Sequence, residues 1–210
     1  MAPRLALFAS GSGRTVENLV RRARDGRLAA EPVLLICSSR RAGAIERAER
    51  LGLPCVVVPR RRRSADAYSA ALYEAIKPWK PDLILLAGFL HLLRIPEVWT
   101  HRVLNIHPSL IPAFCGTGFY GARVHEAVRE SGVTVTGCTV HFCDNIYDHG
   151  PIIAQQAVPV HAEDDAAAIA RRVFRAELEL YPRAINLVAR GLVTVRDGRC
   201  RIREPGRPGS

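Results

Sequence analysis

A carboxamide and an imidazole stand two residues apart in Val103-Leu104-Asn105-Ile106-His107-Pro108-Ser109-Leu110-Ile111-Pro112, a short apolar run that ends in a proline-bounded loop. On a strand, residues two apart project to the same face. At a strand's C-terminal edge, Asn105 and His107 could grip a polar carbonyl and stabilise the charge that develops on its oxygen. Pro108 stops the strand and helps fix its exit. The same pair also serves as an ordinary hydrogen-bonded loop anchor, so its surroundings must decide. Asp148 lies in the polar loop that precedes Gly150-Pro151. If that loop faces His107, a carboxylate raises the imidazole pKa and favours imidazolium near neutrality. Imidazolium and the Asn105 amide could then both donate to an oxyanion. That equipment suits attack by an amine on a carbonyl and needs no protein nucleophile.

Other reactive side chains fit less well. Ser109 follows His107 too closely to form a Ser–His pair and reads as a loop hydrogen-bonding residue. Cys115 and Cys143 have no evident activating partner. His141 reads either as a contact of the site or as a satisfied core histidine. His91, His101, His125, His149 and His161 show no metal-binding spacing, and no metal is expected.

The elements that must position these groups alternate. Arg4 to Ala9 reads as a buried strand, Ser10-Gly11-Ser12-Gly13 as a turn, and Thr15 to Arg24 as a helix. Strand, Gly-rich turn and helix aim backbone N–H groups at an anion, although the glycines alone also suit a plain tight turn. Strands are expected at Pro32 to Ile36, Cys55 to Val58 and Asp82 to Ala87, with helices at Ala42 to Leu51, Ala65 to Ile76 and Ile95 to Thr100. This alternation predicts an α/β fold with an open, mostly parallel twisted sheet flanked by helices. Ligands in such sheets bind beyond the carboxyl ends of the strands. Ser10–Gly13, Gly88–Leu93 and Asn105–Ser109 all fall there.

The second half changes style. A long loop from Leu110 to Arg123 leads to a helix from Ala122 to Glu130, and Val133 to Cys143 and Pro151 to Val160 read as partner strands, so one antiparallel strand is expected in the C-terminal half. A helix from Glu163-Asp164-Asp165 towards Leu180 should break or kink at Pro182, with a helical continuation ending at Gly191. Leu192 to Ile202 reads as a hairpin around Asp197-Gly198. One domain is expected over residues 1–202, with a disordered tail at 203–210.

The chain has 210 residues, 48% of them apolar and 24% charged, which is an ordinary globular composition. No apolar run is long enough to span a bilayer, and the short N-terminal one runs into a Gly-rich turn, so it reads as a strand and not a signal peptide. Six cysteines form no Cys-x-x-Cys pair, which points to reduced thiols and a cytoplasmic protein. The net charge is +10, and all but Lys77 and Lys80 of the basic side chains are arginine. The densest run, Arg60–Arg63, sits in a loop with no zinc finger, basic zipper or interleaved aromatics, so small anionic substrates are favoured over nucleic acid.

The block Asn105 to Pro112, with Ala87-Gly88-Phe89 upstream and Gly137-Cys138-Thr139-Val140-His141-Phe142 through Asp148-His149-Gly150-Pro151 downstream, resembles the phosphoribosylglycinamide formyltransferases, folate-dependent enzymes of purine biosynthesis. The resemblance runs from the first strand to about Pro182. It implies a Rossmann-like formyltransferase fold, 10-formyltetrahydrofolate as co-substrate and glycinamide ribonucleotide as acceptor, in a monomer or homodimer. It implies Asn105, His107 and Asp148 as the catalytic trio, and Gly11, Ser12, Gly13, Arg14 and Thr15 as the phosphate loop. Glu177 would meet the ribose hydroxyls. Folate would meet Leu90, His91, Leu92 and Leu93, Asn105, Asp144, and one arginine of the 60–63 run, nominally Arg63. Arg14-Thr15 stands where the family has Ser-Asn or Thr-Asn, and the loop Phe114 to Gly121 is longer than usual.

Three relatives in chemistry or layout compete. A formyltetrahydrofolate hydrolase shares this core but usually carries an extra N-terminal domain. A methionyl-tRNA formyltransferase adds a C-terminal nucleic-acid-binding domain, whereas only a hairpin and tail follow Gly191. An NADP-binding module would use Gly11-Ser12-Gly13 and Ser39-Arg40-Arg41, but it leaves Asn105, His107 and Asp148 unexplained.

Overall fold

The computed structural model describes residues 1–203. Its main sheet has seven strands: β1 (Arg4–Ala9), β2 (Glu31–Cys37), β3 (Cys55–Val57), β4 (Leu83–Leu86), β5 (Val103–His107), β6 (Val135–Phe142) and β7 (Ile152–Pro159). Their order is β3-β2-β1-β4-β5-β6-β7. The first five are parallel, and β6 runs antiparallel to both of its neighbours. The chain winds outward from β1 to β3 and then returns to place β4 on the other side of β1. That reversal opens a crevice at the carboxyl ends of β1 and β4, where ligands of open α/β sheets bind.

The central strands are buried on both faces, which explains their continuous apolar sequences. Leu5, Leu7, Leu35 and Leu85 face a core shared with α1 (Arg14–Arg24), α2 (Ala44–Arg50), α4 (Ala122–Ser131) and α5 (Ala166–Ala189). Ala6, Phe8, Leu34, Ile36 and Ile84 face the other way, against Tyr68, Leu72 and Ile76 of α3 (Ala65–Ile76). Ser64 caps α3 by accepting from the Ala67 N–H, and Asp165 caps α5 by accepting from the Ala168 N–H.

Expectations and structure part at several boundaries. The segment from Ile95 to Thr100 holds one 3-10 turn, Glu97–Trp99, behind Pro96, and no full helix forms there. Helix α5 does not break at Pro182; it continues through it to Ala189. Proline has no N–H for the carbonyl four residues back, which leaves the Leu178 oxygen without its helical donor. Asn18 Nδ2 of α1 donates to that oxygen at 2.9 Å. A neighbouring helix therefore satisfies the group that the proline leaves free, and Pro182 itself is buried. The expected hairpin is present as β8 (Val193–Arg196) and β9 (Arg199–Ile202), with Asp197 and Gly198 both at positive φ in the turn. Arg203, expected to open the tail, still donates its N–H to the Leu192 carbonyl. The rest of that expected tail, 204–210, lies outside the described residues. No described helix is long and apolar enough to cross a membrane.

The Pro182 arrangement makes a double-mutant test. Asn18→Ala is expected to destabilise the protein by about 1 kcal/mol in urea unfolding, because the Leu178 carbonyl loses its donor. In a Pro182→Ala background the restored N–H can bond Leu178, so the same change should cost much less. Equal costs in the two backgrounds would contradict this account.

Candidate active site

Three loops at the carboxyl edge of the sheet build one cleft of about 820 Å³. Its lining includes Gly11 to Thr15, Leu90 to Leu93, Asn105, His107, Asp144, Asp148 and Glu177. The structure thus brings together the expected site residues, with one exception. Arg63 does not line the cleft; its guanidinium turns back onto the Pro59 carbonyl at 3.1 Å. Arg60 is the member of the run whose charge reaches a lining residue, helping to depress the pKa of His91 after burial, the larger cause.

The floor of the cleft is organised by Asp148. Its backbone sits at φ 53, a left-handed conformation that few non-glycine residues adopt, though aspartate tolerates it better than most. The next turn is tight: a Cβ on Gly150 would lie 2.0 Å from the Phe142 carbonyl oxygen. This geometry turns the carboxylate towards β5. Oδ2 accepts from the Gly116 N–H at 2.9 Å and lies 3.4 Å from His107 Nδ1. Oδ1 accepts from Asn105 Nδ2 at 3.3 Å and lies 3.7 Å from His141 Nε2. Burial pushes the Asp148 carboxyl up, but His141, the His107 charge and the Gly116 N–H outweigh it and hold the group below the usual carboxylate range.

His107 is gripped from two sides. Its Nε2 lies 2.9 Å from the Phe114 carbonyl oxygen. An oxygen of that kind only accepts, so Nε2 carries the proton. Phe114 is itself at φ 51, so two residues in left-handed conformations each deliver one polar group to His107. With Nε2 protonated, Nδ1 facing Asp148 gains most when it too takes a proton. Yet burial is the largest influence on His107, and its pKa lies below the ordinary 6.5 despite the opposing pull of Asp148 and the Phe114 carbonyl. The expectation of a raised value is therefore corrected: desolvation wins because the side chain is only 4% exposed.

Asn105 is also held from two sides. In the antiparallel register it stands opposite His141. His141 Nδ1 donates to the Phe142 carbonyl at 2.9 Å, and its Nε2 lies between Asn105 Nδ2 at 3.2 Å and Asp148 Oδ1 at 3.7 Å, so a neutral ring accepts from Asn105 and a protonated ring donates to Asp148. His141 is thus a buried, hydrogen-bonded histidine that also lines the cleft and orients Asn105, so the two readings describe the same residue. Both Asn105 N–H groups are engaged, one by His141 and one by Asp148. Ser109 behaves as the loop residue expected, donating to the Ala113 carbonyl at 2.6 Å.

One end of the cleft suits an anion. Gly13 begins α1 at φ 77 with no side-chain cap, so first-turn N–H groups stay free. A Cβ on Gly13 would lie 2.5 Å from the Ala44 Cα, so only glycine brings the turn this close to α2. The Arg14 guanidinium lies 4.0 Å over the Phe174 ring. Nearby Glu177 is buried, which pushes its carboxyl up to about 8 against the pull of Arg14. Leu90, Ile146 and Tyr147 are exposed apolar residues of the cleft lining. The segment Leu90–Leu93 has no helix or strand pairing, which leaves its backbone groups largely available. The Asp144 carboxylate is engaged within its own loop by His149 Nδ1 at 2.6 Å and the Ile146 N–H at 2.8 Å.

Several residues of this architecture escape a reading from sequence. Ser10 ties the loops together, its Oγ accepting from the Leu90 N–H at 3.0 Å and from Ser38 Oγ at 2.7 Å. Phe174 carries Arg14, and His125 lines the cleft from α4. A helical Phe three residues before Glu177, and so on its face, was the available signal for Phe174. Ser10 was placed at the strand edge by its turn but not as the tie between loops, and no signal existed for His125. Among the described residues no group of three His, Cys, Asp or Glu side chains is placed to hold a metal ion.

The formyl transferase family model matches residues 3–185. The chain is 36% identical over 209 residues to a chloroplastic phosphoribosylglycinamide formyltransferase of Arabidopsis thaliana, covering 98% of this chain and 69% of that protein. It is 36% identical to the phosphoribosylglycinamide formyltransferase of Bacillus subtilis, covering 87% of this chain and 93% of that one. Among solved structures, glycinamide ribonucleotide transformylase 1 from Symbiobacterium toebii superposes with a TM-score of 0.90 at 36% identity, covering 97% and 95% of the two chains.

The buried Glu177 predicts an alkaline weakness. Its folded pKa of about 8 lies above the ordinary 4.5, so its contribution to stability is fully present below 4.5 and is lost as pH rises through about 8. Between pH 6 and 7 the wild type should lose about 1.4 kcal/mol more than Glu177→Gln in urea unfolding, with the difference levelling off above pH 8. Parallel profiles for the two proteins between pH 6 and 7 would show that the carboxyl is not held neutral.

Proposed function

Because the chain belongs to the formyl transferase family, we propose that it moves the formyl group of 10-formyltetrahydrofolate to the amine of glycinamide ribonucleotide, giving N-formylglycinamide ribonucleotide and tetrahydrofolate, a step of de novo purine biosynthesis. The observation that carries the proposal is the Asp148 carboxylate, shared by His107, Asn105 and the Gly116 N–H on the floor of a cleft with an anion-ready loop at one end.

The amine nitrogen attacks the formyl carbon, and the carbonyl oxygen takes up negative charge. His107 can serve that oxyanion through the N–H it now gives to Phe114, because Nδ1 is turned to Asp148. Charge growing on the substrate favours imidazolium, and Asp148 stabilises it, which offsets the burial that disfavours it at rest. Asn105 can join only by releasing one of its two bonds, and the 3.3 Å contact to Asp148 is the longer. Collapse of the intermediate breaks the bond from carbon to the folate nitrogen. That nitrogen gains a proton as the new amide nitrogen loses one, with His107 placed as general acid.

The acceptor's phosphate is assigned to the loop Gly11, Ser12, Gly13, Arg14 and Thr15, with Arg14 supplying formal charge. Its ribose is assigned to Glu177, whose neutral carboxyl both donates and accepts. The folate ring system is assigned to Leu90–Leu93, Asn105 and the Asp144 loop, and Arg60 is better placed than Arg63 for an acidic tail. The six free cysteines support a reducing, cytoplasmic setting. A monomer or homodimer suffices, since the cleft is built from one chain.

The test follows tetrahydrofolate release from 10-formyltetrahydrofolate with and without glycinamide ribonucleotide. Release should require the acceptor; an equal rate without it would make water the acceptor and sink the transferase reading. His107→Ala should lower kcat by about 10²-fold or more with the fold intact. Asp148→Asn should lower kcat with little change in folate affinity, and the reverse pattern would contradict its assigned role.

A further inference from the structure

His125 is the one buried histidine of the cleft that the proposed chemistry leaves unused. It sits on α4, between the core residues Val124 and Val128, and is 7% exposed. Its Nδ1 is enclosed with no hydrogen-bond partner. An enclosed polar atom without a partner destabilises a fold, and an apolar side chain of similar size removes that penalty. Thr136 Oγ1 is enclosed and unpartnered in the same way, but Thr136 borders no part of the cleft, whereas His125 lines it. The neutral imidazole keeps one N–H and one lone pair. Leaving the lone pair on the enclosed Nδ1 puts the proton on Nε2, which has no partner among the described residues. With Nδ1 sealed, the ring meets the cleft through its Nε2 edge.

Two neighbours narrow the ligand. Helix α4 packs on α5, whose Phe174 and Glu177 line the same cleft. The His107 charge reaches His125, and together with burial, the larger cause, it depresses the His125 pKa, so the ring stays a neutral donor even when His107 is charged.

We propose that His125 Nε2–H is a specificity-determining hydrogen-bond donor to an oxygen of the acceptor substrate, within its amide or ribose. The proposal rests on the acceptor reading of the cleft. It predicts that selectivity for the acceptor, and not folate binding, depends on a residue outside the Asn105, His107 and Asp148 group.

The experiment uses the full chain, with His125→Leu and His125→Gln, and titrates glycinamide ribonucleotide and tetrahydrofolate separately by calorimetry, alongside steady-state kinetics and melting. His125→Leu should melt at or above the wild-type temperature. It should bind glycinamide ribonucleotide about tenfold more weakly and raise its KM similarly, with tetrahydrofolate affinity unchanged. His125→Gln, which keeps an N–H donor, should recover part of the loss. Unchanged acceptor affinity in a folded His125→Leu overturns the proposal, as does equal weakening of both ligands. A marked drop in melting temperature also overturns it, because the side chain would then be serving the fold. Failure of the wild type to bind glycinamide ribonucleotide would instead reject the acceptor reading on which the proposal rests.

Discussion

A buried carboxylate at the end of a left-handed turn cannot persist without donors around it. Asp148 is placed there by the close approach of Gly150 to β6, and its oxygens are met from β5, from the loop after β5 and from β6. Each of those groups is fixed in turn by something else. His141 orients Asn105, and the Phe114 carbonyl fixes the tautomer of His107. Remove the carboxylate and each β5 side chain keeps only one of its two holds. The geometry of the cleft floor is therefore a property of one anion and its donors.

That dependence explains why a single antiparallel strand matters. Strands β1, β4 and β5 deliver three loops to the same sheet edge, as any open parallel sheet does. Strand β6 runs back alongside β5, so its residues meet Asn105 and His107 from the side, and its exit loop carries Asp148 over them. The Gly11–Thr15 loop, the Leu90 and Asp144 loops and Glu177 of α5 line the same cleft around them. Burial supplies the electrostatics, keeping Glu177 neutral and biasing His107 towards the neutral form until charge develops beside it.

Much of this was legible in the residues. Uninterrupted apolar strands such as Leu83–Leu86 announce a parallel sheet buried on both faces, and Asn-x-His before proline announces a strand-end pair. What the residues could not reveal was relational. Nothing in the chain states that Asn105 stands opposite His141, because register is set by the whole sheet. Carbonyls and N–H groups have no letter of their own, so the roles of Phe114 and Gly116 were invisible. The sign of the His107 shift depended on how deep it lies, and burial outweighed the neighbour that sequence could name. Pro182 reads as a helix breaker because Asn18, 164 residues away, cannot be seen as its remedy.

The most direct test of Asp148 as the organiser is a 15N NMR titration of the His107 imidazole in the wild type and in Asp148→Asn, a near-isosteric change that also tolerates positive φ. The wild type should show the Nε2–H tautomer and a midpoint below 6.5, and Asp148→Asn should move that midpoint lower still, because burial would then act unopposed. A midpoint that does not move when the carboxylate charge is removed, or a neutral ring protonated on Nδ1, would contradict the account.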